Sequence, residues 1–242
     1  GYSHGVRPPS VLLNIDAGEL PSEPEELYRL AHLVHIACGG HAGDEASMSR
    51  ALERALRHGT RCGAHPSYPD RAGFGRVVVA IGNDELRRSV EVQCRALAER
   101  ARLAGAVLTS VKPHGALYHE AARDPAVADA VVTAATAALG GSVAVVGPPR
   151  GALRDAAEVR RLVYLAEGFA DRGLRADGSL IPRGEAGAVL TSPREAAAQA
   201  RALAAAGAVH TLCVHGDNPA ALLIASAVRA ALDELEGSVP SP

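Results

Sequence analysis

Short apolar runs recur along the chain at the spacing expected of strands separated by helices. Most are continuous rather than alternating, which is typical of strands buried on both faces of a parallel sheet. The runs span residues 11–15, 34–38, 60–64, 107–111, 142–146, 162–166 and 211–214. We therefore predict seven parallel strands.

Amphipathic helical patterns lie between these runs. Residues 44–58 and 84–104 each place their apolar side chains on one helical face. Asp44 is a suitable N-cap for the first of these helices, and Asn218 with Pro219 predicts a helix start directly after the last strand. Strands alternating with helices indicate an α/β fold, either a barrel or a doubly wound sheet. A length of 242 residues suits a single barrel domain.

A histidine lies at or just beyond the end of four predicted strands, and a predicted helix follows each one. These residues are His41, His65, His114 and His215. In a barrel of parallel strands the carboxyl ends share one face, and that face carries the active site. One such histidine is commonly a structural hydrogen-bonding residue, whereas four favour an enzyme with a ring of polar strand-end groups. The shared face also favours the barrel over the doubly wound sheet.

Acidic residues occupy further strand ends. Asp16 closes the first strand and is followed by Gly18 and a second acid, Glu19. A carboxylate at this position is either a turn or cap residue, or a general base or metal ligand, because acids are rarely buried without a partner. His41 and Asp44, three residues apart, could share a proton or bind an ion.

Lys112 continues an apolar run to the end of the fourth strand. A partly desolvated ammonium at this place would neutralise a carboxylate or phosphate, and the alternative is a surface lysine. The longest segment without helical or strand periodicity is residues 168–187, which Gly and Pro interrupt throughout. Loops of this length are usually functional or disordered. We interpret this one as a mobile lid over an anionic ligand, with Arg183 as a clamp.

Bulk composition narrows the class of function. The net charge is −2 and aromatic residues make up 3% of the chain, so there is no electrostatic or stacking basis for a nucleic-acid or anionic membrane partner. No apolar run approaches the roughly 18 residues of a membrane span. The four cysteines form no C-x-x-C pair, so we expect buried free thiols at Cys38, Cys62, Cys94 and Cys213. We also expect a cytoplasmic location for the protein. Residues 1–9 are expected to be a flexible N-terminal segment and residues 10–242 one domain.

Six segments rich in Gly, His and Asp follow one another in a distinctive order. They are residues 13–19 (LNIDAGE), 36–44 (IACGGHAGD), 63–70 (GAHPSYPD), 111–118 (VKPHGALY), 169–172 (FADR) and 213–219 (CVHGDNP). In this order they resemble the signatures of the LamB/YcsF family. The resemblance implies a distorted seven-stranded (β/α) barrel similar to the glycoside hydrolase and polysaccharide deacetylase superfamily.

The resemblance also implies an activity. Members of the family open the lactam ring of 5-oxoproline to give glutamate, together with the B and C subunits of a 5-oxoprolinase. ATP is the cofactor expected in that complex, because phosphorylation of the amide oxygen makes the ring carbon electrophilic to water. A small acidic molecule is the expected substrate, while a divalent metal and a homo-oligomer stay open.

Roles for individual residues follow from the same resemblance. Asp16 is the expected base, and His41 and His65 would carry or orient protons. Lys112, Arg172 and Arg183 would clamp a carboxylate or phosphate. The catalytic set is Asp16, Glu19, His41, Asp44, His65, Lys112 and His114, and the substrate-binding set is Asn14, Asp171, Arg172, Arg183, His215 and Asp217.

Two other interpretations of these residues stay open. One is a metal-dependent, deacetylase-like hydrolase in which Asp16, His41 and His65 hold the ion that activates water. The other is a non-catalytic subunit that binds substrate for its partners. Metal analysis would test the first, and assays with and without partner subunits would test the second.

Overall fold

Residues 11–237, which the computed structural model describes, form a closed barrel of seven parallel strands surrounded by eight helices. The strands follow chain order around the barrel, and β7 pairs with β1 to close it. The strands are β1 (Leu12–Ala17), β2 (Leu33–Ala37), β3 (Arg61–His65), β4 (Leu108–Val111), β5 (Ala144–Gly147), β6 (Tyr164–Phe169) and β7 (Thr211–Val214). The helices are α1 (Glu26–Leu30), α2 (Glu45–His58), α3 (Asn83–Ala104), α4 (Gly115–Arg123), α5 (Pro125–Leu139), α6 (Ala152–Val159), α7 (Pro193–Ala205) and α8 (Ala221–Gly237).

This architecture confirms the predicted α/β barrel. Every predicted run coincides with one strand, and the largest difference is at β6, which ends at Phe169 instead of residue 166. The first two residues of the segment 168–187 therefore belong to a strand, which corrects the expectation that this segment is all loop. The barrel is distorted between β3 and β4, where the register shifts at Cys62 and Gly63. The expected flexible segment 1–9 lies outside the described residues.

The interior of the barrel is polar, whereas the apolar core lies between strands and helices. Asn14 on β1 donates a hydrogen bond to Glu167 on β6 at 3.0 Å, and Lys112 after β4 contacts both residues. These strands are not neighbours, so the contacts cross the barrel interior. Leu13 and Ile15, which alternate with Asn14 on β1, pack in the apolar core. The expectation of continuously apolar strands is wrong here, because buried polar side chains satisfy one another.

One predicted helix start is confirmed by the structure, and another is wrong. The Asp44 carboxylate accepts the backbone N–H of Ser47 at 2.8 Å and caps α2, as predicted. By contrast, α8 begins at Ala221 and not at Pro219. The Asn218 side chain accepts the N–H of Ala220 at 3.0 Å, so it closes a turn before the helix and does not cap it.

The state of the cysteines also follows the sequence. All four cysteines are buried and free, which confirms the expected thiols. Among residues 11–237, none of the helices has both the length and the apolar character needed to cross a bilayer.

Candidate active site

A cavity of about 810 Å³ opens where six of the strands end. Its polar wall contains Asp16 from β1, His65 from β3, Lys112 after β4, Glu167 from β6 and His215 after β7. A volume of this size is typical of sites for small molecules. The carboxyl ends of the strands thus form a pocket at the face on which barrel enzymes carry their chemistry.

The inner end of the cavity holds a buried network of charges around Lys112. The Lys112 ammonium contacts the Asp16 carboxylate and lies 3.2 Å from Glu167 Oε1, 3.0 Å from Asn14 Oδ1 and 3.3 Å from Cys213 Sγ. Burial by itself would raise the pKa of Asp16, but Lys112, His65 and His215 together hold that pKa well below its usual value. Burial likewise opposes the charge of Lys112, and Asp16 raises the pKa of the ammonium well above its usual value. Both groups are therefore charged.

Three histidines and one carboxylate form a second cluster beside Lys112. His41 Nε2 lies 2.9 Å from Glu19 Oε1, and His65 Nε2 lies 3.0 Å from His114 Nδ1. The rings of His41 and His114 stack with centroids 3.6 Å apart, and Phe74 packs edge-on against both. All four polar side chains are buried. This group is named the histidine cluster below.

Burial sets the charge of the histidine cluster. It lowers the pKa of His41 to about 2 and that of His114 well below the usual range, with further lowering by neighbouring His65. It raises the pKa of Glu19 well above the usual range, and the nearby Asp16 carboxylate adds to this effect. The protein alone therefore provides little compensation for a charged group within the cluster.

A tight turn at residues 73–76 packs directly against the histidine cluster. Gly75 has φ +64°, and a Cβ atom there would lie 2.8 Å from Cβ of His41. Gly115 has φ +56°, and its Cβ would lie 2.4 Å from the Gly75 carbonyl oxygen. The residue before Gly75, Phe74, adopts φ 55°, a left-handed conformation that is uncommon for aromatic residues. Only glycine fits this close approach of the two backbones.

His215 and Asp171 form a second functional pair on the far wall. The Asp171 carboxylate accepts His215 Nδ1–H at 2.9 Å, the His215 backbone N–H at 3.0 Å and the Asn218 amide at 3.1 Å. Burial opposes the charge of Asp171, but His215 outweighs it and lowers the pKa of the carboxyl group. Because Nδ1 is engaged, Nε2 is the nitrogen of His215 available to a ligand, and Phe169 stacks on the ring with centroids 5.5 Å apart.

Arginines line the mouth of the cavity. Arg76 and Arg183 belong to its wall and lie next to Asp217, at 3.8 Å in the case of Arg183. Arg172 also borders the cavity, but it donates to the carbonyl oxygens of Ala188 at 2.9 Å and Ile181 at 2.7 Å. Arg172 therefore anchors the loop after β6, while the other two arginines provide positive charge at the entrance.

Of the residues singled out from the sequence, seven line this cavity and five more contact residues of its wall, while Asp44 does neither. Asp44, predicted to be catalytic, is exposed at the start of α2, where its carboxylate is used as a helix cap. Asn14, predicted to bind substrate, lies beneath Lys112, and its amide is fully engaged by Glu167, Thr211 and Lys112. The residues that line the cavity are Asp16, His65, Lys112, His114, Arg172, Arg183 and His215. Those that contact its wall are Asn14, Glu19, His41, Asp171 and Asp217.

The predicted metal set also needs correction. The sequence groups Asp16 with His41 and His65, but the Asp16 carboxylate is occupied by Lys112. The donor atoms that do lie within 4.8 Å of one another belong to the histidine cluster, in which Glu19 and His114 replace Asp16.

Sequence reasoning missed three residues of the site. Glu167, Arg76 and Phe74 contact Lys112, Asp217 and the stacked histidines respectively. Glu167 has a signal in the sequence, since it is an acid in an otherwise apolar run at 164–169. Arg76 and Phe74 lie in a loop, where only the folded chain shows which way each side chain points.

Comparisons with known proteins agree with these features. The chain matches the model of the LamB/YcsF family over residues 12–241. A protein of Symbiobacterium thermophilum, named as the A subunit of 5-oxoprolinase, is 42% identical over 247 residues, which cover 95% of this chain and 94% of that protein. A protein of the same name from Methylococcus capsulatus is 42% identical over 234 residues, covering 90% of each chain.

Two solved structures are also similar. The lactam utilization protein from Thermus thermophilus superposes with a TM-score of 0.86 at 33% identity, covering 94% of this chain and 97% of that one. A family 4 carbohydrate esterase from Streptomyces lividans gives a TM-score of 0.50 at 12% identity, covering 94% and 89% of the two chains. The second likeness concerns the fold alone and agrees with the expected deacetylase-like barrel.

Proposed function

The chain belongs to the LamB/YcsF family, and on that premise we propose that it acts on the lactam 5-oxoproline as the A subunit of an ATP-dependent 5-oxoprolinase. The names of two relatives at 42% identity and of a solved structure at 33% identity support this substrate. The observation that carries the proposal is the cavity at the strand ends, which joins a cationic entrance to a buried Lys112 and an oriented His215.

The proposed reaction requires activation of an unreactive amide bond. A five-membered lactam resists water, so transfer of a phosphoryl group from ATP to the amide oxygen is the step that makes the ring carbon electrophilic. Water then adds to that carbon, the ring C–N bond breaks and the nitrogen takes up a proton, which leaves a γ-acyl phosphate. A second water hydrolyses this acyl phosphate to glutamate and phosphate, and ADP is the other product. The partner B and C subunits and ATP complete this reaction.

The cavity supplies matching groups for these steps. Arg76 and Arg183 at the entrance are suited to the carboxylate of 5-oxoproline, because guanidinium groups bind carboxylates in two places. Lys112 lies deeper and offers positive charge near an amide oxygen that gains negative charge. These contacts orient the ring with its carboxylate outward.

His215 is better placed than Asp16 to act as the general base. Asp171 holds Nδ1–H of His215, so Nε2 keeps its lone pair towards a ligand in the cavity. Asp16 is bound to Lys112 and has a lowered pKa, which makes it a weak base. We therefore assign proton transfer to His215, orientation of His215 to Asp171, and stabilisation of Lys112 to Asp16.

The metal-dependent deacetylase with Asp16, His41 and His65 as ligands has less support. Lys112 fills the position next to the Asp16 carboxylate that such an ion would need. The likeness to a carbohydrate esterase at 12% identity concerns the fold alone.

Reconstitution tests the proposal. The chain is combined with B and C subunits, ATP and 5-oxoproline, and glutamate is measured. We expect glutamate only when all components are present, and His215→Gln should lower kcat by about 10²–10⁴-fold, the range of general base catalysis. The matched control is His58→Gln, which removes a surface imidazole paired with Glu25 and should leave the rate unchanged. Glutamate formation without this chain, or a His215→Gln rate equal to that of the wild type, would contradict the proposal.

A further inference from the structure

The histidine cluster brings four ligand-type atoms within 4.8 Å of one another beside the wall of the cavity. Glu19 Oε1 lies 2.9 Å from His41 Nε2, 3.4 Å from His114 Nδ1 and 3.7 Å from His65 Nε2. His114 Nδ1 and His65 Nε2 are 3.0 Å apart. No hydrogen-bond donor of another residue enters this space within the described part of the chain, in contrast to Asp16 with its lysine.

The hydrogen bonds on the outer side of two rings determine where their protons are. His65 Nδ1 lies 2.7 Å from the carbonyl oxygen of Lys112, and His114 Nε2 lies 3.0 Å from the carbonyl oxygen of Phe74. A carbonyl oxygen only accepts, so both of these nitrogens carry the hydrogen. In the neutral rings, the facing atoms His65 Nε2 and His114 Nδ1 are therefore both lone-pair acceptors.

Two lone pairs at 3.0 Å repel each other unless a cation lies beside them. Glu19 adds a third acceptor oxygen to the same space when it is ionised. The site is thus built from acceptors that point inward and donors that point outward.

We propose that Glu19, His65 and His114 bind one divalent transition-metal ion. His41 stacks face to face on His114, so its Nε2 does not point at the same ion and instead positions Glu19 through their contact at 2.9 Å. Ligands of a tetrahedral site with metal–nitrogen distances of about 2.0–2.1 Å are separated by about 3.3 Å. The three separations among these atoms, 3.0, 3.4 and 3.7 Å, lie around that value. Two imidazoles and one carboxylate, with the fourth position open, suit Zn²⁺ and its neighbours Co²⁺ and Fe²⁺, and disfavour Mg²⁺ and Ca²⁺, which prefer oxygen ligands.

The surroundings of the cluster have the features of a metal site. Backbone carbonyl oxygens hold the outer N–H groups of His65 and His114, which is the usual support of ligating histidines. The turn that supplies the Phe74 carbonyl adopts a left-handed conformation at Phe74 itself. Such strain is stored preferentially at functional positions.

A second set of ligand-type residues does not qualify. Asp16, Cys213 and His215 also have donor atoms within 4.8 Å of one another. The ammonium group of Lys112 contacts Asp16 and lies 3.3 Å from Cys213 Sγ, so a cation is already present there. The proposal is therefore restricted to the histidine cluster. It stands on these residues alone and goes beyond the proposed lactam activity.

Metal titration of the full chain tests this site. After dialysis against a chelator, we expect the protein to bind one equivalent of Zn²⁺ by calorimetry and to give visible d–d absorption with one equivalent of Co²⁺. His114→Gln should weaken Zn²⁺ binding by at least about 100-fold, since loss of a supporting residue alone costs about 10–100-fold. His58→Gln removes a surface imidazole that pairs with Glu25, so this variant should bind Zn²⁺ as the wild type does.

A second readout needs no variant. Nitrogen NMR of the wild-type chain should show Zn²⁺ shifting the resonances of His65 Nε2 and His114 Nδ1 while leaving those of His58 in place. Failure of the wild type to bind Zn²⁺ and Co²⁺, or unchanged ring nitrogens, would overturn the site, and so would wild-type affinity in a folded His114→Gln. Binding is measured without ATP, lactam or partner subunits, so a metal-binding chain that makes no glutamate would refute the proposed function and leave this site intact.

Discussion

Lys112 is a buried cation whose neighbours are two carboxylates, Asp16 and Glu167. Removal of one partner from such a network leaves an unpaired buried charge, which costs about 3–5 kcal/mol. Variants at Lys112 or Asp16 therefore change folding as well as chemistry. For this reason the proposed function is tested at His215, whose side chain borders the cavity and is not part of that network.

His32 shows how a single imidazole can make stability depend on pH. Its Nδ1 accepts the backbone N–H of Leu13 at 2.9 Å, and its backbone N–H donates to the Leu13 carbonyl oxygen at 2.9 Å. Burial, helped by the charge of Arg229, lowers the pKa of His32 to about 4 from a usual value of 6.5. The folded state therefore prefers the neutral ring, which leaves Nδ1 free to accept.

The sign of the effect follows from this preference. The contribution of His32 to stability is complete above pH 6.5 and is lost as the pH falls towards 4. We expect about 1–2 kcal/mol, since the ring is partly exposed and solvent screens it. Urea unfolding at pH 7 and pH 4.5 measures this loss. His32→Asn, whose side-chain oxygen can still accept, should reduce the loss by that amount, and an identical pH dependence in the two proteins would refute the assignment.

At the scale of elements, the turn at residues 73–76 and the start of α4 are in backbone contact. The Ala116 N–H donates to the Gly75 carbonyl oxygen at 2.9 Å, and Gly115 has no room for a Cβ atom. This contact holds the turn against the histidine cluster. A substitution that displaces one of these two elements is therefore expected to displace the other.

A pair of glycine variants separates this contact from simple backbone strain. Gly105, after α3, has φ +73° and nothing within 4 Å of the place a Cβ atom would take, so Gly105→Ala should cost about 1 kcal/mol for conformation alone. Gly115→Ala has a similar φ but meets the Gly75 carbonyl, which should add about 1–3 kcal/mol. Free energies of unfolding in urea give the comparison. Equal costs for the two variants would show that the backbones do not meet so closely.

At the scale of the whole molecule, the loop after β6 covers the cavity that the barrel forms. Residues 178–183 line the cavity, and Arg172 fastens the base of the loop through the carbonyl oxygens of Ile181 and Ala188. The barrel positions the inner groups, while this loop decides how open the entrance is. A lid that closes on an anionic ligand is the expected behaviour.

Two arginines of the same loop test the lid. Arg183 borders the cavity, so Arg183→Ala should raise KM for 5-oxoproline about 10-fold or more, as expected for a charge-assisted hydrogen bond, with little effect on stability. Arg175 instead pairs with Glu185 at 2.9 Å on the surface, and Arg175→Ala should keep the wild-type KM. Hydrogen exchange of residues 174–187 should slow when 5-oxoproline is added. Equal KM values for the two variants, together with unchanged exchange, would contradict the lid.

The sequence by itself determined the order of strands and helices, the buried cysteines and the common face of four histidines. These properties depend on local periodicity and on the rule that parallel strands of a barrel end on one side. The cap at Asp44 is equally local, since it involves residues three apart in sequence. The family signatures are of the same kind, because they are short segments in a set order.

Only the tertiary structure decided which of these groups are partners. Asp16 was a reasonable metal ligand until Lys112, 96 positions away along the chain, proved to occupy its carboxylate. Glu19 joined the three histidines because the turn after β1 directs it towards them, while Asp44 was directed to solvent by its helix. The pairing of the polar residues inside the barrel was likewise not visible in the sequence, since their hydrogen bonds connect strands that are not neighbours. Long-range pairing depends on three-dimensional distance, which local patterns of residue type do not contain.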